Sequence, residues 1–391
     1  MGMEILEELV ELSHEFGTAE HVLGGGGNTS AKDAETMWVK PSGTVLAEMR
    51  AETFVAMDRK KLERLFEERQ PSQPRRHRGH REQQEPGANS SRRSSHNGEG
   101  TEAGAEGRLE QEGRVKEILA GAVKEAGKGR PSVETALHAS FEARFVVHTH
   151  PPVVNGMTCA KEGREACARL FPEALWVDYT DPGYTVCMKV RGEMKEYAGR
   201  HGRQPGVVFF QNHGVFFAGE TREEVRREAD EVLGRLREEY RQAGVSTELR
   251  EGREPTGEEA KELGERLKRL LGKDGAWVKA GGRFEFARGP VSPDHIVYAK
   301  SYPLAGEPTE ESVRGYREKH GYSPRVVCCE AGVAGVGEKE KEAELALELT
   351  RDAALVVQLT ETFGGIRYMP EREAKFIENW EAEAYRRKLI G

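Results

Sequence analysis

Cysteine is scarce: the chain has five in 391 residues, Cys159, Cys167, Cys187, Cys328 and Cys329. None of them forms the two-residue spacing of a redox or zinc-ribbon motif, and adjacent cysteines are poorly placed to bridge each other. A disulfide-stapled scaffold is thereby excluded, and the expectation is a reduced, cytoplasmic protein. Long hydrophobic runs are also missing. With no stretch of about 18 apolar residues, no transmembrane helix is expected, and Met1 to Val10 carries glutamates but no basic residue, unlike a secretory leader. Positive charge is not in excess: 59 Lys and Arg stand against 67 Asp and Glu, for a net charge of −8. Electrostatics therefore gives no reason to expect nucleic acid or an anionic membrane as a partner. Between Pro71 and Arg108 large apolar residues are absent altogether. Such a segment cannot bury enough surface to offset its ordering entropy, so residues 71–108 read as a disordered insertion.

What is present is concentrated in a few short patterns. The apolar run Phe145-Val146-Val147 leads into His148-Thr149-His150-Pro151. On a strand, residues two apart share a face, so the two imidazoles converge on one point. A second apolar run, Phe209-Phe210-Gln211-Asn212-His213-Gly214, delivers a third histidine. Upstream, Pro131-Ser132-Val133-Glu134 has the look of a helix start, with Ser132 as cap and Glu134 in the first turn, where a helix N-terminus stabilises an anion. Three strand-end histidines and one carboxylate suggest a His₃ metal site with an open position, suited to zinc or another divalent metal. His138, one helical turn after Glu134, reads as a packed, hydrogen-bonded residue.

Four consecutive glycines precede Asn28-Thr29-Ser30. Exposed backbone N–H groups in such a loop can hold a phosphate. Neither the Walker pattern nor the dinucleotide fingerprint is matched, so a nucleotide is not indicated. The turn Lys40-Pro41-Ser42-Gly43-Thr44 offers a cation and a hydroxyl to the same anion.

Elsewhere the hydrophobic spacing predicts helices over 3–16, 155–170, 223–242 and 258–271, with a further helical face starting at Val115. It predicts strands at 37–40, 175–179 and 206–210. The polar stretch 251–257 places a domain boundary near 250. Beyond it, Ile296-Val297-Tyr298 reads as a strand. Arg325 to Cys329 reads as another, followed by a turn containing Gly332, Gly335 and Gly337 and a long helix from Glu338.

Taken together, the motifs resemble the class II aldolase/adducin family over about residues 3–250, apart from the insertion. The pieces are Gly27-Asn28-Thr29-Ser30, Lys40-Pro41-Ser42-Gly43-Thr44, Ser132-Val133-Glu134, His148-Thr149-His150-Pro151 and Asn212-His213-Gly214. Val291-Ser292-Pro293-Asp294-His295 and Pro324-Arg325-Val326-Val327 resemble a longer subgroup, in which a rhamnulose-phosphate-aldolase-like part is fused to a dehydrogenase; the dehydrogenase part is not among these residues. The resemblance implies an α/β fold with a central, mostly antiparallel sheet flanked by helices in three layers. Domains at 1–250 and 251–391 follow, the second an α/β extension.

The resemblance also implies a homotetramer with sites at subunit interfaces, acting on a small-molecule sugar phosphate. Carried over by motif, His148, His150 and His213 correspond to zinc ligands and Glu134 to the acid/base. Gly27, Asn28, Ser42, Gly43 and Ser132 correspond to the phosphate cradle, and Tyr179 to a catalytic tyrosine reached across the interface. Val133 stands where the phosphate-binding aldolases often have a second hydroxyl. The implied reaction is cleavage of a ketose 1-phosphate to dihydroxyacetone phosphate and an aldehyde. The alternatives are a sugar-phosphate 4-epimerase or dehydratase of the same fold, which usually carries Asp at the position of Glu134, and a non-catalytic adducin-like module, which tends to lack the histidines.

Overall fold

A computed structural model describes residues 2–66, 113–125, 129–180 and 183–379. The expected insertion at 71–108 lies outside the described residues, as do Asp181 and Pro182 of the loop after Tyr179.

The first part of the chain builds a seven-stranded sheet. Its strands are β1 (Asn28–Lys32), β2 (Thr36–Val39), β3 (Val55–Asp58), β4 (Phe145–Thr149), β5 (Leu175–Val177), β6 (Val207–Phe210) and β7 (Gly214–Gly219). They lie in the order β3-β2-β1-β4-β7-β6-β5. Every neighbouring pair is antiparallel except β5 and β6. Both faces are covered. Phe145, Val147, Phe209 and Phe217 face the helices α1 (Gly2–Glu15), α5 (Pro152–Thr158), α6 (Gly163–Leu170) and α8 (Arg222–Gln242). Val146, Val208, Phe210 and Phe216 face α2 (Arg59–Glu63), α3 (113–122), α4 (Thr135–Ser140) and α7 (Tyr184–His201). The alternation of period two along β4 puts His148 on the face of Val146. The site therefore belongs to the α4/α7 side. This is the expected three-layer α/β arrangement with a mostly antiparallel sheet.

The remaining chain adds α9 (Gly257–Leu271), β8 (Trp277–Gly281), α10 (Pro293–Ala299), β9 (Leu304–Ala305), α11 (Glu310–His320), β10 (Val326–Cys329), β11 (Gly332–Gly337), α12 (Glu340–Thr360) and α13 (Glu371–Asn379). A second sheet has the order β8-β11-β10-β9.

Three local expectations are corrected here. Ile296-Val297-Tyr298 lies in α10, not in a strand. Its β-branched residues favour a strand, but Ser292 at the N-cap and Pro293 in the first turn start a helix, and tertiary burial overrides propensity. The segment Gly332–Gly337 is a buried strand rather than a turn. A Cβ on Gly335 would stand 2.6 Å from the Leu347 nitrogen, so the glycines let the α12 backbone press directly on the sheet. Residues 155–170 form two helices, broken around the bridge at Ala160. Among the described residues, no helix is long and apolar enough to cross a membrane.

One buried charge ties β1 to the end of α4. Lys32 is 4% exposed and its Nζ donates to the carbonyls of Phe141 (2.9 Å) and Ala143 (3.1 Å). Burial, reinforced by the Arg59 charge, lowers its ammonium from 10.5 to about 7. Between those values the unfolded chain binds more protons at this site than the folded chain, so stability rises with pH, by about 1.4 kcal/mol per pH unit from this group. Urea unfolding from pH 7 to 8, below the range where the buried thiols begin to oppose it, should show this rise in the wild type, and Lys32→Met should flatten it. Equal slopes in the two proteins would contradict the assignment.

Candidate metal centre

The three histidines and the carboxylate picked out by spacing come together. Each of Glu134, His148, His150 and His213 offers a ligand atom, and these atoms lie within 4.8 Å of one another. His148 Nε2 stands 3.0 Å from His150 Nε2, 3.3 Å from His213 Nε2 and 3.2 Å from Glu134 Oε1. His213 Nε2 stands 3.7 Å from the same carboxylate oxygen. Donors held about 2.0–2.1 Å from one tetrahedral metal stand roughly 3.3–3.4 Å apart. The observed separations bracket that figure.

The hydrogen bonds behind the ligands decide which nitrogens face inward. His148 Nδ1 lies 2.9 Å from the Val215 carbonyl, which can only accept, so Nδ1 carries the proton. His150 Nδ1 donates to the Asp294 carboxylate at 2.6 Å. Two Nε2 lone pairs therefore point at each other at 3.0 Å, an arrangement that a cation between them relieves. Burial, followed by the neighbouring His148 and His150, lowers His213 to about 3, so its lone pair is available at neutral pH. The donor set fits a divalent metal held by the three imidazoles, with Glu134 beside it.

Local structure explains the alignment. Asn212 takes a left-handed φ of 54°, which turns the chain between β6 and β7 and presents His213. Gly214 follows because a Cβ there would come within 2.6 Å of the His150 ring. Glu134, rather than Ser132, occupies the N-cap of α4, yet its side chain makes no capping bond. Ser132 Oγ instead accepts from the Glu134 N–H at 3.3 Å. The freed carboxylate turns to the histidines, and Asn28 Nδ2 donates to its second oxygen at 3.4 Å. Burial raises the Glu134 carboxyl, but the facing His148, His213 and His150 outweigh it and hold the group well below the ordinary value. His138 is buried, with Nδ1 2.8 Å from Ser30 Oγ, and burial lowers it to about 3.

A cavity of about 1030 Å³, counting its open mouth, lies in front of Glu134 and His213. Gly27, Ser42, Gly43, Ser132 and Tyr179 line it, with Tyr179 reaching the cavity of its own chain. Asn28 is fully buried and meets the site through Glu134. Gly27 has φ 67°, and a Cβ there would lie 2.6 Å from Val22 Cγ1 and 2.9 Å from the His148 carbonyl, so only glycine lets this loop approach β4. Lys40, 2% exposed, also lines the cavity and donates to the Gly25 carbonyl at 3.4 Å.

The lining includes residues given no role from sequence: Pro293, Asp294 and Ile377, all from beyond residue 250. The Ser-Pro-Asp-His string was visible, and its helix-start signature was the available sign. Nothing local, however, connects Asp294 with His150.

The sequence profile described as Class II Aldolase and Adducin N-terminal domain matches residues 7–88 and 105–236. A curated relative from Bacillus subtilis (strain 168), the uncharacterized oxidoreductase YuxG, is 26% identical over 229 residues. That match covers 56% of this chain and 27% of the relative, so the chain spans about a quarter of that protein's length. Among solved structures, the N-terminal class II aldolase domain of a conserved protein from Thermoplasma acidophilum is 18% identical with a TM-score of 0.44. It covers 60% of this chain and 92% of its own. An L-fuculose-1-phosphate aldolase from Thermus thermophilus is 12% identical with a TM-score of 0.37, covering 62% and 98% respectively. With more than half of its residues matched by the profile, the chain belongs to the class II aldolase and adducin family.

Proposed function

We propose that this protein is a metal-dependent sugar-phosphate aldolase that cleaves a ketose 1-phosphate to dihydroxyacetone phosphate and an aldehyde. Residues 1–250 would form the catalytic unit and 251–391 an extension of it. By family resemblance the assembly would be a homotetramer, and the cysteine usage places it in the cytoplasm as an expectation. The observation that carries the reading is the convergence of Glu134, His148, His150 and His213, with Glu134 and His213 in the wall of a cavity that Gly27, Ser42, Gly43 and Ser132 also line.

His148, His150 and His213 would hold zinc or another divalent metal, which when bound supplies Lewis acidity to the negative charge that develops on the nucleophilic fragment. The chain's own groups do the rest. The backbone at Gly27 and Gly43, with the hydroxyls of Ser42 and Ser132, would receive the phosphate, and the Lys40 ammonium adds positive charge on that side. Val133 contributes no hydroxyl, leaving that cradle one donor short of the common pattern. As the C3–C4 bond breaks, Glu134, an anion at neutral pH, would take up the proton of the C4 hydroxyl and deliver it to the carbon that turns nucleophilic. The Tyr179 hydroxyl would hydrogen-bond the oxygen of the departing aldehyde. The Glu at position 134 favours this reaction over a 4-epimerase or dehydratase.

A screen of several ketose 1-phosphates for release of dihydroxyacetone phosphate, run with and without added zinc, tests the proposal. Metal-dependent release from at least one of them is expected. No release from any, with the metal bound, would overturn it.

A further inference from the structure

We propose that Asp294, carried by the segment beyond residue 250, is the positioning residue for His150, so that this segment is a built-in part of the metal centre. The inference rests on the metal reading above. Asp294 Oδ2 accepts the His150 Nδ1 proton at 2.6 Å, and both residues are buried. A carboxylate at this nitrogen fixes the tautomer with Nε2 inward, locks the ring's rotation and raises its basicity toward a cation.

The rest of the segment is arranged to hold that carboxylate in place. Asp294 sits in the first turn of α10, and its neighbour His295 anchors the helix from another side. The Ser292 hydroxyl donates to His295 Nδ1 at 2.8 Å, and His295 Nε2 donates to Asp352 of α12 at 2.9 Å. This Ser-His-Asp string resembles a nucleophile relay, but Ser292 and His295 are buried at 2% and 5% exposure, so it serves as an anchor. Helix α12 in turn packs on α5, the helix that directly follows His150. A Cβ on Gly156 of α5 would stand 2.5 Å from Leu359 Cβ and would also collide with the Tyr240 hydroxyl. The mechanical circuit from His150 through α5, α12 and α10 back to His150 is closed.

A second tie acts on another ligand. Asn212 Nδ2 donates to the carbonyls of Val291 (3.0 Å) and Arg367 (2.8 Å), so both amide hydrogens of the residue before His213 are given to the same segment. Two of the three histidines are thus oriented from beyond residue 250.

Cobalt(II) titration of the full-length chain, followed by visible absorption, tests this together with the melting temperature of the metal-free protein. Asp294→Asn keeps the side-chain volume and removes the charge. It is expected to bind cobalt about 10–100-fold more weakly, with the metal-free melting temperature little changed. Asn212→Gly keeps the left-handed backbone and removes the second tie; it should also weaken binding, and unchanged affinity there would overturn the segment's part in holding His213. If Asp294→Asn does not fold, Asp294→Glu, which keeps the charge and displaces it by one methylene, carries the test of the first tie. A folded Asp294→Asn that binds cobalt as tightly as the wild type overturns the positioning role, whether or not its melting temperature falls. Wild-type protein that binds no cobalt overturns the metal reading itself, a separate outcome.

Discussion

Glu134→Gln is expected to lower turnover of a ketose 1-phosphate by about 10²–10⁴-fold while leaving the bound metal near its wild-type level. The glutamine keeps the volume and the acceptor oxygen of the side chain but cannot take up a proton. Glu134 Oε1 lies 3.2 Å from His148 Nε2, close enough to act beside a metal that the three imidazoles would hold. As an anion at neutral pH, the carboxylate would first take the proton of the departing hydroxyl and then give it to the carbon that turns nucleophilic. A rival assignment makes Glu134 a ligand in the substrate-free state that swings away when substrate binds. It predicts that Glu134→Gln loses metal during dialysis against a mild chelator. Metal analysis before and after dialysis, alongside single-turnover assays, separates the two. If the variant keeps both its metal and normal turnover, the acid/base role is wrong and Tyr179 becomes the next candidate.

His150→Ala should remove both metal and activity. It deletes one of three imidazole donors, and it strips the Asp294 carboxylate of the ring at 2.6 Å that shares its buried position. A buried charge that loses its partner is strongly destabilising. A lower melting temperature is therefore expected in addition to metal loss, which distinguishes this variant from Glu134→Gln. Elemental analysis of the purified variant is the measurement. Near-stoichiometric metal in His150→Ala would show that the cluster at 3.0–3.7 Å does not bind through this ring.

Much of the centre was legible because its parts lie on elements whose periodicity is strong. The run Phe145-Val146-Val147 alternates between the two faces of the sheet, so the side taken by His148 follows from strand geometry alone. Glu134 was readable as a helix-start carboxylate, although Glu134 rather than Ser132 holds the N-cap position and no side chain caps the helix. The strand expected at Ile296-Val297-Tyr298 failed because β-branched propensity is a weak signal beside a Ser-Pro helix start and full burial. The turn expected at Gly332 to Gly337 failed for a related reason. Glycine there serves the close approach of α12 to the sheet, and composition does not distinguish that from a turn.

Local patterns were enough for the residue types of the candidate centre, their arrival at strand ends, the glycine-lined approach to the cavity and the layered sheet. These depend on residues a few positions apart, where backbone geometry dictates which side chains share a face. The long-range packing of the chain places Asp294 behind His150, ties Asn212 to the Val291 and Arg367 carbonyls, and walls the cavity with Pro293 and Ile377. Those contacts join segments more than a hundred residues apart for Asp294 and His150. No periodicity spans such a distance. The pairing is set by how α12 packs between α5 and the second sheet, a property of complementary surfaces rather than of any local pattern.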